Sequence, residues 1–255
     1  MTNADAGGVV LYDGASAAVV AALLGVPRIE LLGTVTSTQD VAHELASADA
    51  PAGTLVLAHE QTSGRGRHGR AWTSNPGAGV WLTLIERPSD PASADVLSLR
   101  VGLGLARALE RFTTDPVRLK WPNDVYIGDR KLAGVLAEAR WRDGAIEWVA
   151  VGVGINVVAP SAEPRAIGLA AGTTRLDVLR AVVPQLRDAA AALGHLTDSE
   201  LAEFAARDYA AGHGCVEPVA GRVAGIDRTG ALLINTGSRV AAVRAGSLVL
   251  QEEAT

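Results

Sequence analysis

Cysteine is almost missing from this sequence: Cys215 stands alone among 255 residues. One thiol excludes an internal disulfide framework and a cysteine-rich zinc site, and it suits a reducing compartment. Aromatic residues supply only 4% of the chain, so alanine, valine and leucine must carry the burial. Long apolar runs are lacking too. The longest, such as 149–158, are broken by glycine and asparagine and fall short of the roughly 20 residues of a membrane-spanning helix. Residues 1 to 8 lack the basic start and apolar middle of a secretory signal, which leads us to expect a cytoplasmic protein. Positive charge is not in excess either. A net charge of -5 argues against a general nucleic-acid binder. No Walker-type Gly-Lys-Ser/Thr occurs anywhere in the chain.

What is present describes a globular protein with ample core, 48% hydrophobic and 20% charged. Its length allows one large domain, or one domain and a small satellite. Ala15 to Leu24 has helical apolar spacing and stops at Gly25-Val26-Pro27. Strands are expected at Ile29 to Val35, Thr54 to Ala58, Gly79 to Ile85 and Val117 to Trp121. Thr36-Ser37-Thr38 offers hydroxyl caps for a helix through Leu45, and Ala94 to Phe112 reads as a long helix. A hairpin series follows, from Asp124 through the turns Gly128-Asp129 and Asp143-Gly144 to Val158. Helices are expected at Leu176 to Leu193 and Glu200 to Tyr209. Beyond Gly212 the texture changes to five short strands separated by turns, a barrel of about 40 residues near the lower size limit for standing alone. The elements lack regular βαβ alternation, so the large domain is expected to be α+β around a mixed sheet.

The segment from Gln61 to Trp72 packs Gly64, Gly66 and Gly69 with Arg65, Arg67, Arg70 and His68 behind a strand. Glycine permits close backbone approach, and arginine offers a rigid donor fork for carboxylate or phosphate. The spacing Gly64-x-Gly66-x-x-Gly69 also fits the dinucleotide fingerprint. That fingerprint needs a helix directly after the glycines, whereas turn-forming Thr73-Ser74-Asn75-Pro76-Gly77 follows here. The loop reads as an anion clamp of another kind, mobile without its ligand.

Two further stretches carry chemistry. In Lys120-Trp121-Pro122-Asn123-Asp124, proline fixes the strand exit and aims the polar side chains. In Lys131 to Glu138, strict alternation places Lys131, Ala133 and Val135 on one face, where a lysine among small apolar neighbours calls for an anion. Gly134 leaves room for a ligand. Each stretch alone has a bland reading: a solvated turn, a Pro-Asn-Asp corner, a lysine snorkelling at a sheet edge.

The three motifs in this order and spacing, with Gly152-Val153-Gly154-Ile155-Asn156-Val157 after them, resemble biotin protein ligases. The resemblance runs from Thr36 to the C-terminal strands. It implies a class II synthetase-like, biotin/lipoate-ligase fold: a mixed-sheet catalytic domain over 1–212 and an SH3-like barrel over 213–255. It implies ATP, Mg²⁺ and biotin, biotinyl-5'-AMP as intermediate, and transfer to a lysine of a biotin carboxyl carrier protein. Lys131, Arg67 and Asp124 are the implied catalytic residues. Ser37, Thr38, Gln39, Gln61, Gly64, Arg65, Gly66, Arg67, Lys131 and Gly134 are implied for biotin. Arg65, Arg67, Arg70, Trp72, Lys131 and Asn156 are implied for ATP and the adenylate. The metal is held mainly through phosphates, with Asp124 as a candidate contact.

Gln39 stands where the family often has asparagine. No helix-turn-helix precedes the catalytic region, so specific DNA binding is not expected, nor membrane association, and a monomer or weak homodimer is. Among rivals, a lipoate or octanoate ligase would want a long apolar tunnel, and a cysteine acyltransferase would need Cys215 nearer the motifs. A non-enzymatic anion-binding module fits poorly with the acidic balance.

Overall fold

A computed structural model describes residues 10–253; the stretch 1 to 8 read above for a missing signal lies outside the described residues. Seven strands form the main sheet: β1 (Arg28–Val35), β2 (Thr54–Gln61), β3 (Gly79–Glu86), β4 (Val117–Lys120), β5 (Asp124–Ile127), β6 (Arg130–Arg142) and β7 (Ala145–Asn156). Their order is β1-β2-β3-β7-β6-β5-β4. The β1–β2 pair is parallel and the others are antiparallel. Connection length explains the mixture, because a parallel pair needs a crossover while antiparallel neighbours need only a turn. Helix α2 (Thr38–Ser47) provides that crossover between β1 and β2. Asp143 and Gly144 both take positive φ, 51° and 80°, which suits the tight turn joining β6 to β7.

Alternation along the strands divides the core in two. Leu55, Leu57, Leu84 and Val151 face a layer made by α1 (Ala17–Leu24), α3 (Pro91–Leu109) and α4 (Arg175–Ala191). Val56, Ile85 and Ala150 point the other way and meet Ala42 and Ala46 of α2. Since α2 is short, it covers only part of its face. The rest of that face is left for a cavity.

After α5 (Asp198–Arg207) come β8 (Gly214–Glu217), β9 (Gly221–Ile226), β10 (Leu232–Asn235), β11 (Val240–Val243) and β12 (Val249–Leu250). They form a separate five-stranded antiparallel sheet ordered β11-β10-β9-β8-β12. The expected mixed large sheet with a small all-β unit behind it is borne out. The small sheet leans on the large one: Val223, Leu232, Ile234 and Leu250 belong to the same apolar cluster as α3 and β4. Trp121 Nε1 donates to Gly230 O at 2.9 Å across that contact, and a Cβ on Gly230 would come within 2.9 Å of Leu99. No helix among the described residues is long and apolar enough to cross a membrane.

Candidate active site

One transverse row of the main sheet sets the floor of the cavity. Pairing places Ala58, Trp81, Gly154, Gly134, Asp124 and Lys120 side by side on β2, β3, β7, β6, β5 and β4. The two central members are glycines, so the sheet has a trough where side chains would otherwise stand. The indole of Trp72 lies in it. A Cβ on Gly154 would fall 2.6 Å from that ring, and one on Gly134 would fall 3.1 Å away. Trp72 also meets Trp81 edge-on, with ring centroids 6.5 Å apart. Its Nε1 is buried without a hydrogen-bond partner among the described residues.

Strict alternation does not hold at Lys131. Tyr126 pairs with Lys131 while the neighbouring Val125 pairs with Ala133, which leaves Leu132 as an extra residue on β6. Such a bulge reverses the side-chain sense along the strand. Leu132, Ala133 and Val135 are therefore buried in the helix-covered core, and Lys131 instead shares the trough with Gly134. The expected Lys131, Ala133, Val135 face is corrected accordingly. Lys131 Nζ stands 2.7 Å from Asp124 Oδ1 and 5.1 Å from the centre of the Trp72 ring, with the side chain 30% exposed. That oxygen of Asp124 is buried, and the contact is too oblique to satisfy it as a hydrogen bond. Asn123 turns to the backbone instead, where its Nδ2 donates to Val135 O at 2.7 Å.

The glycine–arginine loop folds over this floor and is well tied. Gly66 N donates to Arg70 O at 2.7 Å, and Trp72 N donates to Gly64 O at 2.8 Å. These backbone groups, expected to face ligand, serve the closure of the loop itself. A Cβ on Gly64 would lie 2.6 Å from Trp72 O, so glycine is required there by space. Arg65 pairs with Asp40 at 2.5 Å, and Glu138 is 3.9 Å away. Arg67 donates to Gly246 O at 3.3 Å and Arg70 to Ser247 Oγ at 3.2 Å, both in the loop between β11 and β12. Among the described residues no carboxylate stands at ion-pair distance from Arg67. Burial, with Arg70 close by, holds its guanidinium below the ordinary arginine value while Asp124 opposes the shift. Guanidinium stays charged regardless, so Arg67 is a half-buried cation short of an anion. His68, at φ 56° on the loop tip, is exposed.

At one end the cavity is lined by buried hydroxyl and amide groups. Ser37 caps α2 by accepting from Gln39 N. Thr38 N and Oγ1 both donate to Gln61 Oε1, at 2.8 and 3.1 Å, and Gln61 Nε2 donates to Ser74 Oγ. Gln39 is spent on structure: its Nε2 donates to Leu136 O and Ala150 O, and its Oε1 accepts from Thr83 Oγ1. At the other end a second cavity of about 210 Å³ adjoins the first, of about 440 Å³. Trp72, Lys131, Tyr126 and Arg165 line both. Asn156 lines the smaller one, and its Nδ2 lies 3.5 Å from Lys131 O.

Of the site residues implied by the sequence, Ser37, Thr38, Gln39, Gln61, Arg65, Gly66, Arg67, Arg70, Trp72, Asp124, Lys131 and Gly134 line the larger cavity and Asn156 the smaller, whereas Gly64 lines neither. Lys120 and Gly154, quoted in the motifs but given no role, also line the larger cavity, as does Thr83, which the sequence did not single out. The alternating glycines 152 and 154 were a usable signal for a trough. Nothing local marks Thr83.

Residues 32–156 match the model of the biotin/lipoate A/B protein ligase family. The biotin–[acetyl-CoA-carboxylase] ligase of Mycobacterium tuberculosis is 33% identical over 233 residues, covering 85% of this chain and 86% of that one. The chain belongs to this family. The bifunctional ligase/repressor BirA of Bacillus subtilis is 42% identical over 124 residues, 48% of this chain. The match spans only 38% of that longer relative. Among solved structures, the biotin protein ligase of Aquifex aeolicus in complex with biotin and ATP superposes with a TM-score of 0.67 at 27% identity, over 88% of this chain and 99% of that one.

Proposed function

We propose that this protein is an ATP-dependent ligase that converts biotin to biotinyl-5'-AMP and passes the biotinyl group to a lysine of a biotin carboxyl carrier protein. The observation that carries this reading is the placement of Lys131: one ammonium lining two cavities that share several residues, the larger of them also lined by the under-compensated Arg67. The relatives point the same way, since the Aquifex enzyme holds biotin and ATP together.

Two anions must meet in the first step. A biotin carboxylate oxygen attacks the α-phosphorus, a new O–P bond forms, and pyrophosphate leaves with the electrons of the broken bridging bond. Lys131 and Arg67 are assigned to offset the repulsion and the developing charge. Arg70 is assigned to the phosphates, and Arg65 to the adenylate once it leaves Asp40. Ser37, Thr38 and Gln61 suit the polar ureido ring, Gly134 gives the ring room, and Asn156 and Trp72 border the adenine. In the second step the carrier amine attacks the acyl carbon, its C–O bond to phosphate breaks, and AMP departs. Asp124 is assigned to orient that amine. Mg²⁺ would be held chiefly through the ATP phosphates, whose charge it would offset, with Asp124 as its candidate protein contact. The large sheet would be the catalytic domain, 1–212, and 213–255 the SH3-like unit.

Calorimetric titration with biotin, lipoate and ATP in turn tests the reading. Biotin should bind, and ATP should release pyrophosphate only with biotin present. Tighter binding of lipoate than of biotin would instead favour a lipoate or octanoate ligase of the same fold.

A further inference from the structure

An acyl-adenylate is an electrophile that any neutral primary amine can attack, and the enzyme holding it carries amines of its own. Here they are scarce. Of 23 lysines and arginines, only Lys120 and Lys131 are lysine. Both line the cavity assigned to the adenylate. They are near neighbours as well: Lys120 pairs across the sheet with Asp124, the carboxylate that Lys131 meets.

Lys120 has no role in the mechanism above, yet it is strongly fixed. Its Nζ donates to both carboxylate oxygens of Glu253 at 2.6 Å, and the lysine side chain is only 7% exposed. Glu253 comes from the short 3-10 turn Gln251–Glu253 that follows β12, and its Oε2 also accepts from Leu250 N. The rings of Tyr126 and Tyr209 flank the same ammonium, at 5.7 and 5.9 Å. The carboxylate in contact and the flanking aromatic faces hold the nitrogen at a fixed point and occupy its surroundings. A nitrogen held in this way is not free to reach an acyl carbon. Lys131 is treated alike, with Asp124 and the face of Trp72 around it.

We propose that Glu253 guards Lys120 against self-acylation, holding its Nζ in an ion pair with both carboxylate oxygens so that the adenylate survives until an external amine arrives. This inference rests on the adenylating activity proposed above. Without the guard, the Lys120 side chain would be released from the ion pair, and as in any aminolysis its amine would give up its protons to solvent in the course of the reaction. Its nitrogen would then attack the acyl carbon, the C–O bond to phosphate would break, and the products would be biotinyl-Lys120 and AMP. Arginine cannot enter this reaction, because its guanidinium stays protonated. The small sheet thereby contributes more than packing, since the guarding carboxylate lies beyond its last strand.

The test is intact-mass and peptide mass spectrometry of the full chain after incubation with biotin, ATP and Mg²⁺ and no acceptor. The parent should gain no biotinyl group at Lys120. Glu253→Gln should gain one, with at least roughly tenfold more label at that residue, and Glu253→Asp should restore protection in part. Glu253→Gln/Lys120→Arg should lose the new label. If Glu253→Gln does not fold by circular dichroism, Glu253→Ser takes its place. A variant that releases pyrophosphate in the presence of biotin but leaves Lys120 unlabelled overturns the guard, as does a parent labelled equally. Absence of biotin-dependent pyrophosphate release from the parent would show that the activity itself was misread, which is a separate result.

Discussion

Lys131 and Arg67 do opposite things with similar charge. Lys131 is paired, held by Asp124 and Trp72 at a fixed point of the sheet. Arg67 is poorly compensated and, among the described residues, is anchored through a carbonyl of the loop between β11 and β12. Lys131→Ala is therefore expected to remove adenylate formation, by about 10²–10³ in rate if it acts as one electrostatic donor, with the melting temperature little changed. Biotin-dependent pyrophosphate release measures the first and calorimetry the second; full activity in this variant would remove the mechanism. Arg67→Gly should still form the adenylate but release it, so that lysines of bystander proteins become labelled. Streptavidin blotting of a mixture containing serum albumin reads this out, and an unlabelled albumin band from an active variant would deny the clamp its role. The sequence identified both side chains by type. It misjudged the face of Lys131, because a bulge is a pairing irregularity and leaves no mark on the alternation of a single strand.

The trough is a property of elements, made where β6 and β7 each place a glycine in one row. Trp72 fills it and separates the two cavities. Gly154→Val should push the indole out, since even a Cβ there would lie 2.6 Å from it. Overpacking of this kind costs typically about 1–3 kcal/mol, and both biotin and ATP should bind more weakly because the displaced ring enters their space. Tryptophan emission and calorimetry would detect the change; unaltered binding of both ligands would mean that the indole does not border them. Element types were legible beforehand: the helices and hairpins expected from capping residues, periodicity and Asp-Gly turns appear within a few residues of their observed ends. Cross-strand register was not, because it depends on which strands become neighbours.

At the scale of the whole molecule, the apolar cluster passes from the main sheet through α3 and β4 into the small sheet without a break. Trp121 and Gly230 stitch the two with a buried hydrogen bond. Thermal unfolding is accordingly expected to show one calorimetric transition rather than two. Trp121→Phe should leave the Gly230 carbonyl without its donor and lower stability by about 1–3 kcal/mol. Two separate transitions in the parent would contradict a shared core. The loop carrying Gly246 and Ser247 joins this coupling to function, since it seats Arg67 and Arg70.

The chemistry available and the local elements were already written in the chain. Charge, glycine, capping and turn residues act over a few positions, and their effects can be read where they stand. It took the folded arrangement to establish which way Lys131 faces, why a side chain at position 154 would meet the Trp72 ring, and that Glu253 meets Lys120 from 133 residues away. Those outcomes follow from strand register and from the docking of one sheet on another, and such long-range pairing is fixed by the packing of the whole chain.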